Sequence, residues 1–302
     1  MEFNCILVKV SPEVSLKSRF VRKYFLDKLV ASIKSSLRAN DVSGTTIIKG
    51  NGRLFVFPDD AKNRETIFSL LGFVFGIQAI ARTFYFEFEN KDSLLESTVL
   101  LGEKFLKKGT FKVDARRDMF EELSSKQLEE ILGSRLLEKI SGLKVNLSKP
   151  VQTLFLEVFS KRAFVFFDLV EGPGGLPLGC EGNVAVLFEG KKEELASAFL
   201  LMKRGCNVFP VVEKETEKIQ THVNHLVKWN SFRSFRFTPL NELSFLEKKD
   251  DIGVKAIVLS EKSFGKKMSA EKKSFGSLAV FWPLAFLPKE QLSRIIKAVS
   301  DD

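Results

Sequence analysis

Six consecutive residues offer the most chemistry in this chain: Glu189, Gly190, Lys191, Lys192, Glu193 and Glu194. They lie between a short apolar run, Val184 to Phe188, and a helical pattern that stops at Gly205. Strand, loop and helix start form the frame on which many α/β proteins seat a phosphate, because the helix start presents unpaired N–H groups and a partial positive charge. A phosphate cradle in such a loop needs small residues, so that backbone amides can approach closely. This loop has one glycine and three carboxylates. Two like charges about 4 Å apart repel by roughly 4 kcal/mol at an effective dielectric near 20. The acids therefore oppose a bound pyrophosphate. Lys191 and Lys192 offset part of that repulsion, since lysine is a good phosphate partner. The loop also has a purely structural reading, in which Glu193 and Glu194 satisfy the helix start without any ligand.

Other groups with chemical potential are sparse. Cys5, Cys180 and Cys206 are odd in number and lack paired spacing. That argues against a disulfide framework or structural zinc and fits a reducing, cytoplasmic setting. Cys206 starts an apolar run and reads as a small hydrophobe, so Cys180 is the thiol to test. His222 and His225 stand three apart on a predicted helix, a spacing that could give two metal ligands. No nearby Cys or Asp completes a set, so no metal site is expected. Glu121-Glu122 and Glu129-Glu130 read as solvated charges with no paired-acid constellation around them. The cations are more informative. Lys17, Arg19, Arg22 and Lys23 crowd the first turns of a predicted helix, where the helix dipole disfavours them. Two readings account for that placement: plain solvation, or contact with a phosphate. Arg116 and Arg117 end a predicted strand, where both side chains can reach one rim.

The scaffold has to be read from composition and periodicity. The 302 residues are 44% hydrophobic and 28% charged, as in ordinary globular proteins, and a prior of about one domain per 150 residues suggests two or three domains. The net charge of +9 suits either a generic basic surface or a polyanion partner, and charge alone does not choose between RNA, DNA and an anionic lipid surface. No run approaches the roughly 18 apolar residues of a membrane span, and the start lacks the pattern of a secretory leader. Most of the 30 phenylalanines fall in apolar periods, such as Phe155, Phe159, Phe164 and Phe166, and read as core. Residues 3–10 read as a strand, followed from Ser11-Pro12 by one long helix to about Arg38 with Val21, Phe25, Leu29, Ile33 and Leu37 on one face. Leu54 to Phe57 is a second strand, and a helix follows to about Gly72. This half is a small α+β unit. A second unit has strands at Phe84 to Phe88 and Phe111 to Ala115, and a helix capped by Ser124 with Gln127 three residues on. A hairpin joins Leu154–Phe159 to Ala163–Val170. The run Gly172-Pro173-Gly174-Gly175-Leu176-Pro177 is a break. Beyond it, strands at 184–188, 207–212, 255–260 and 278–282 alternate with helices at 194–204, 215–229 and 288–299, which implies a parallel sheet.

Several segments resemble one family. Leu16-Lys17-Ser18-Arg19 before the basic helix, together with Phe75-Gly76-Ile77, is similar to the N-terminal ferredoxin-like domain of tRNA 4-thiouridine synthetases, sulfurtransferases also linked to thiamine biosynthesis. Phe111-Lys112-Val113-Asp114-Ala115-Arg116-Arg117, the Ser-capped helix and Val145-Asn146-Leu147-Ser148-Lys149-Pro150 resemble the THUMP domain of that family. Gly172-Pro173-Gly174-Gly175-Leu176-Pro177-Leu178-Gly179 resembles its linker, and Leu201-Met202-Lys203-Arg204-Gly205 the end of the first catalytic-domain helix. The resemblance implies an α/β and α+β chain: a ferredoxin-like domain over 1–80, a THUMP RNA-binding domain over 81–171, a linker over 172–182 and, over 183–302, a Rossmann-like parallel-sheet domain of PP-loop ATPase type, degenerate and shortened. It implies that the first two domains hold the acceptor stem and 3′ end of a tRNA, and that the third adenylates a uridine while a cysteine delivers sulfur.

The catalytic part of that expectation conflicts with the residues. Where the family's PP-loop has Ser-Gly-Gly, any residue, then Asp-Ser, this chain has the six residues Glu189 to Glu194. Leu259-Ser260-Glu261-Lys262-Ser263-Phe264-Gly265 echoes a family loop with its acidic and glutamine positions altered. The stretch between 212 and 255 is shortened, and no sulfur-carrier domain is expected beyond Asp302. The expectation is a tRNA-binding protein without its own adenylation or sulfur transfer, needing no cofactor, with Lys17, Arg19, Arg22, Lys23, Arg116 and Arg117 on phosphates. Two alternatives stay open. One is an active sulfurtransferase that uses ATP and magnesium through Lys191 and Lys192; the other is an adaptor that brings tRNA to a separate modification enzyme. A homodimer also stays open, and no membrane association is expected.

Overall fold

The structure, a computed structural model, describes residues 2–50, 52–248, 253–261, 275 and 277–300. The strands are β1 (Cys5–Val10), β2 (Thr45–Lys49), β3 (Arg53–Pro58), β4 (Ile77–Glu87), β5 (Gly109–Asp118), β6 (Leu143–Val145), β7 (Gln152–Phe159), β8 (Arg162–Phe166), β9 (Val170–Glu171), β10 (Asn183–Phe188), β11 (Asn207–Val212), β12 (Thr238–Pro239), β13 (Ala256–Val258) and β14 (Ala279–Phe281). The helices are α1 (Pro12–Ser15), α2 (Arg19–Ala39), α3 (Arg64–Leu71), α4 (Lys91–Phe105), α5 (Ser125–Lys139), α6 (Lys192–Lys203), α7 (Glu217–Leu226), α8 (Leu243–Lys248) and α9 (Lys289–Ser300). Two compact units result. One comprises Met1–Lys9, Gly44–Phe68 and Ala79–Glu171, the other Val10–Ser43, Ser69–Gln78 and Gly172–Asp302.

The first unit is built on a mixed sheet in the order β2-β3-β1-β4-β8-β7-β5-β6, with β9 paired to β4. Antiparallel pairing joins β1 to β3 and β4 to β8, whereas β5 runs parallel to both β6 and β7. Along β7, Leu154, Leu156 and Val158 are buried while Phe155 and Phe159 are not, so the two faces separate with the period of two that a strand imposes. Helix α5 packs on β5. It begins at the predicted cap: Ser124 Oγ accepts from Gln127 N at 3.2 Å, and Gln127 Oε1 accepts from Ser124 N at 2.9 Å. Its buried stripe is Leu128, Leu132 and Leu136.

The second unit carries a parallel sheet in the order β12-β11-β10-β13-β14. Alternate residues of β10 serve two cores. Val184, Val186 and Phe188 pack with Leu195, Ala198 and Met202 of α6, and Ala185 packs with Leu243 and Leu246 of α8. The linker is fitted against the end of α6: Leu176 N donates to the Lys203 carbonyl at 2.9 Å. At Gly175, φ is +72° and a Cβ would lie 2.2 Å from that same carbonyl oxygen, so only glycine fits.

The structure departs from the sequence reading at several elements, among them β6, β9, β12 and α8, which the sequence did not announce, and the three that follow. The helix expected from Ser11-Pro12 to Arg38 is broken, with Lys17 and Ser18 between α1 and α2. β2 was not anticipated, because none of its five residues is buried and no apolar face announces it. β4 begins at Ile77, seven residues before the predicted strand at Phe84, and so runs through position 80. The apolar face of α2 follows the expected spacing, with Phe25, Leu29, Ile33 and Leu37 buried.

Candidate functional site

The loop between β10 and α6 holds Glu189, Gly190 and Lys191, and α6 opens with Lys192, Glu193 and Glu194. Gly190 takes φ +91°, a left-handed value that favours glycine. Glu194 is 1% exposed and turns back toward the loop. Its Oε1 accepts from Glu189 N at 2.9 Å, and its Oε2 accepts from Gly190 N and Lys191 N, both at 3.0 Å. Of the two acids expected to satisfy the helix start, Glu194 takes that role. Burial pushes its carboxyl above the ordinary value, and the three amide bonds pull it back only in part.

Around this point the carboxyl ends of the strands open into a cavity of about 530 Å³. The central strand β10 has β11 on one side and β13 on the other. That reversal of order is where open α/β sheets place their ligands. Glu189, Glu194, Glu213, Glu247 and Glu261 line the cavity, with Leu187, Leu259 and Leu278 among its apolar walls. Lys191 does not point at vacant space: its Nζ bonds to Glu189 and lies 3.8 Å from Glu261. The bond to Glu189 is the main reason the Lys191 ammonium pKa is raised. Residues 262–265 of the loop singled out in the sequence lie outside the described residues.

In the same unit, Lys17, Arg19 and Lys23 are exposed at the start of α2, and Arg22 is half-buried with Nη1 3.4 Å from the Ser15 carbonyl. Apolar side chains accompany them in the open. Leu16 is 85% exposed and Phe20 84%, and Tyr24 follows one turn later with Lys28 5.5 Å from its ring centroid. Phe20 and Tyr24, four apart in α2, share one helix face, whereas Leu16 lies before the break between α1 and α2.

The first unit offers a second cationic surface. One face of its sheet bears a cavity of about 650 Å³ floored by Phe55, Phe57, Tyr85 and Phe164 and edged by Arg53, Arg116, Arg117 and Arg162. Phe55 stacks on Phe164 at 4.0 Å between centroids, and Phe57 meets Tyr85 edge-on at 5.1 Å. Arg53 is committed to Glu157, with its Nε and Nη2 each 3.0 Å from Oε1. Arg116 stands opposite Glu157 in the strand register and makes no side-chain hydrogen bond or ion pair among the described residues. Arg117, one residue on, emerges from the other face of β5, and its Nη1 donates to the Phe120 carbonyl at 2.7 Å. Both arginines line the cavity, yet only Arg116 projects from the face shared with Phe155 and Glu157. Lys9 lies 5.6 Å from the Phe155 ring, and burial lowers its pKa, helped by the charges of Arg53 and Arg116. Phe164 and Phe166 are buried as expected, but Phe155 and Phe159 are not. Guanidinium groups beside aromatic faces can hold phosphates while unpaired bases stack.

The thiols are unsuited to nucleophilic work as they stand. Burial raises Cys5 and Cys206, and pushes Cys180 up to about 12, so the reactive thiolate is disfavoured at each. His222 is buried and its Nδ1 has no hydrogen-bond partner among the described residues; burial lowers its pKa, with the charge of Lys218 adding to the effect. Among the described residues no group of three or more His, Cys, Asp or Glu side chains could hold a metal, and no helix is long and apolar enough to cross a membrane.

Comparison with known proteins assigns the domains. Residues 5–81 match the ThiI ferredoxin-like domain, and residues 89–168 match the THUMP domain. A probable tRNA sulfurtransferase of Methanobrevibacter smithii is 32% identical over 213 residues, which cover 69% of this chain and 53% of that protein. The chain thus aligns with about half the length of that relative. The fold is that of the Pyrococcus horikoshii protein PH1313, with TM-score 0.84, 23% identity and coverage of 98% and 99% of the two chains. It is also that of a 4-thiouridine synthetase, solved as an RNA complex with bound ATP, with TM-score 0.76, 21% identity and coverage of 99% and 85%.

Proposed function

For a chain that belongs to the tRNA sulfurtransferase family, with the ferredoxin-like and THUMP domains of that family, we propose a role as a cytoplasmic tRNA-binding protein that holds the acceptor stem and 3′ end and carries no adenylation or sulfur-transfer activity of its own. The placement of charge carries this reading. Arginines edge an aromatic sheet face in one unit, while glutamates line the cavity at the sheet switch point in the other. The first suits a polyanion with unpaired bases, and the second repels a triphosphate. Lys17, Arg19, Arg22, Lys23, Arg116 and Arg117 contact phosphates. No nucleotide or magnesium is needed. The rival function, ATP-dependent thiolation of a tRNA uridine, requires Lys191 to face phosphate, whereas Glu189 and Glu261 already hold it.

The test compares intact tRNA with tRNA trimmed of its unpaired 3′ nucleotides. The expected result is tighter binding of the intact molecule, with affinity that falls steeply as salt rises. Equal binding of the two, or binding of neither, refutes the reading.

A further inference from the structure

We propose that Glu194 is a built-in substitute for phosphate: its carboxylate occupies an anion seat that the loop still forms, and this occupancy keeps nucleotides out. The inference rests on reading residues 189–194 as a former nucleotide loop. A glutamate at the third position of a helix ordinarily reaches back to one amide, that of the capping residue. Glu194 makes that bond, to Lys191 N, and two more to Glu189 N and Gly190 N, which lie upstream of the helix. Three successive amides converging on one anion form the kind of nest that binds phosphate. The left-handed turn at Gly190 is what aims them inward. A Cβ there would meet nothing closer than 3.5 Å, so the backbone conformation, rather than space, calls for glycine. At 1% exposure the Glu194 carboxylate leaves no room for a second anion on the same amides.

If the seat is intact, removing the carboxylate uncovers it. An internal occupant weakens an outside ligand by the fraction of time the seat stands empty. A seat open for about a tenth of the time or less costs about tenfold or more in apparent affinity. Glu194→Ser deletes the carboxylate and leaves the three amides without their internal acceptor. Glu194→Gln fills the seat with a side chain of the same size, whose single oxygen still accepts while its NH2 group cannot.

The experiment titrates inorganic pyrophosphate into the wild-type chain, Glu194→Ser and Glu194→Gln by calorimetry, with thermal unfolding of each. The expected result is binding by Glu194→Ser at least about tenfold tighter than by the other two, and a melting temperature that pyrophosphate raises in that variant alone. A folded Glu194→Ser that ignores pyrophosphate overturns the inference and leaves the tRNA-binding reading untouched. Tight ATP binding by the wild type overturns both. Should Glu194→Ser fail to fold, amide hydrogen exchange in the wild type decides. Slow exchange at Glu189, Gly190 and Lys191, unchanged by pyrophosphate, is expected. Fast exchange, or protection that appears only with pyrophosphate, contradicts the proposal.

Discussion

Arg116→Ala is the substitution that most sharply separates RNA contact from structural support. Among the cations of the sheet face, Arg53 is already matched by Glu157 in a pair whose side chains are each 14% exposed. Among the described residues Arg116 has no such partner, so its charge is available to a phosphate. Each phosphate contact contributes about 0.7–0.9 to the slope of log affinity against log salt. Loss of one contact should lower the slope by that amount. Between 50 and 200 mM salt, a rise of about 0.6 log units, the variant should then lose about threefold less affinity than the wild type. Arg117→Ala should change the slope less, because Arg117 also holds the Phe120 carbonyl, and the Arg116→Glu, Arg117→Glu double variant should change it most. Arg53→Ala supplies the contrast. It breaks a charged hydrogen-bonded pair and should cost about 1.5–3 kcal/mol of stability with little effect on the slope. Fluorescence anisotropy with bulk tRNA at four salt concentrations, beside urea unfolding of each variant, gives both quantities. An Arg116→Ala protein of wild-type stability and unchanged slope refutes the assignment.

Three further outcomes follow from the geometry. Gly175→Ala should lose well over about 1 kcal/mol in urea unfolding, since its methyl group meets the Lys203 carbonyl at a left-handed φ; wild-type stability would show that the linker does not pack there. The folded pKa of Glu194 is raised above 4.5, so its contribution to stability is fully present below 4.5 and is lost as pH rises through the folded value. Melting curves should therefore show the wild type gaining on Glu194→Gln as pH falls from 7 toward 4.5, and a constant gap would count against the burial of this carboxyl. His222 has the opposite sign: its folded pKa lies below 6.5, so its contribution is present above 6.5 and is lost as pH falls through the folded value. Relative to His222→Leu, the wild type should lose melting temperature below pH 6.5, and parallel curves would place the imidazole in solvent.

The amphipathic α2 and the cap of α5 were readable because each depends on local spacing: buried residues every four positions, and a serine three residues before a glutamine. Strand β11 was readable as a short apolar run between a glycine and a charged loop. The open sheet face was not. Phe155 and Phe159 sit in strand-like apolar periods that look like core, and sequence periodicity does not reveal which sheet face a helix covers. The candidate loop was legible in its chemistry and illegible in its geometry. An acid excess is visible in the letters, but Glu193 and Glu194 are equivalent there. Which of them folds back depends on where the left-handed turn at Gly190 aims the amides. Lys191 likewise read as a phosphate partner, because Glu261 is distant in the chain and reaches it only through the pairing of β10 with β13.

The most direct measurement is a pair of calorimetric titrations on one preparation of the wild-type chain, one with bulk tRNA and one with ATP and magnesium. Saturable, salt-sensitive heat with tRNA and none with ATP is the expected result. Saturable ATP binding that is lost on replacing Lys191 and Lys192 with alanine would contradict the account, because the amides that Glu194 fills would then have to be open to a triphosphate.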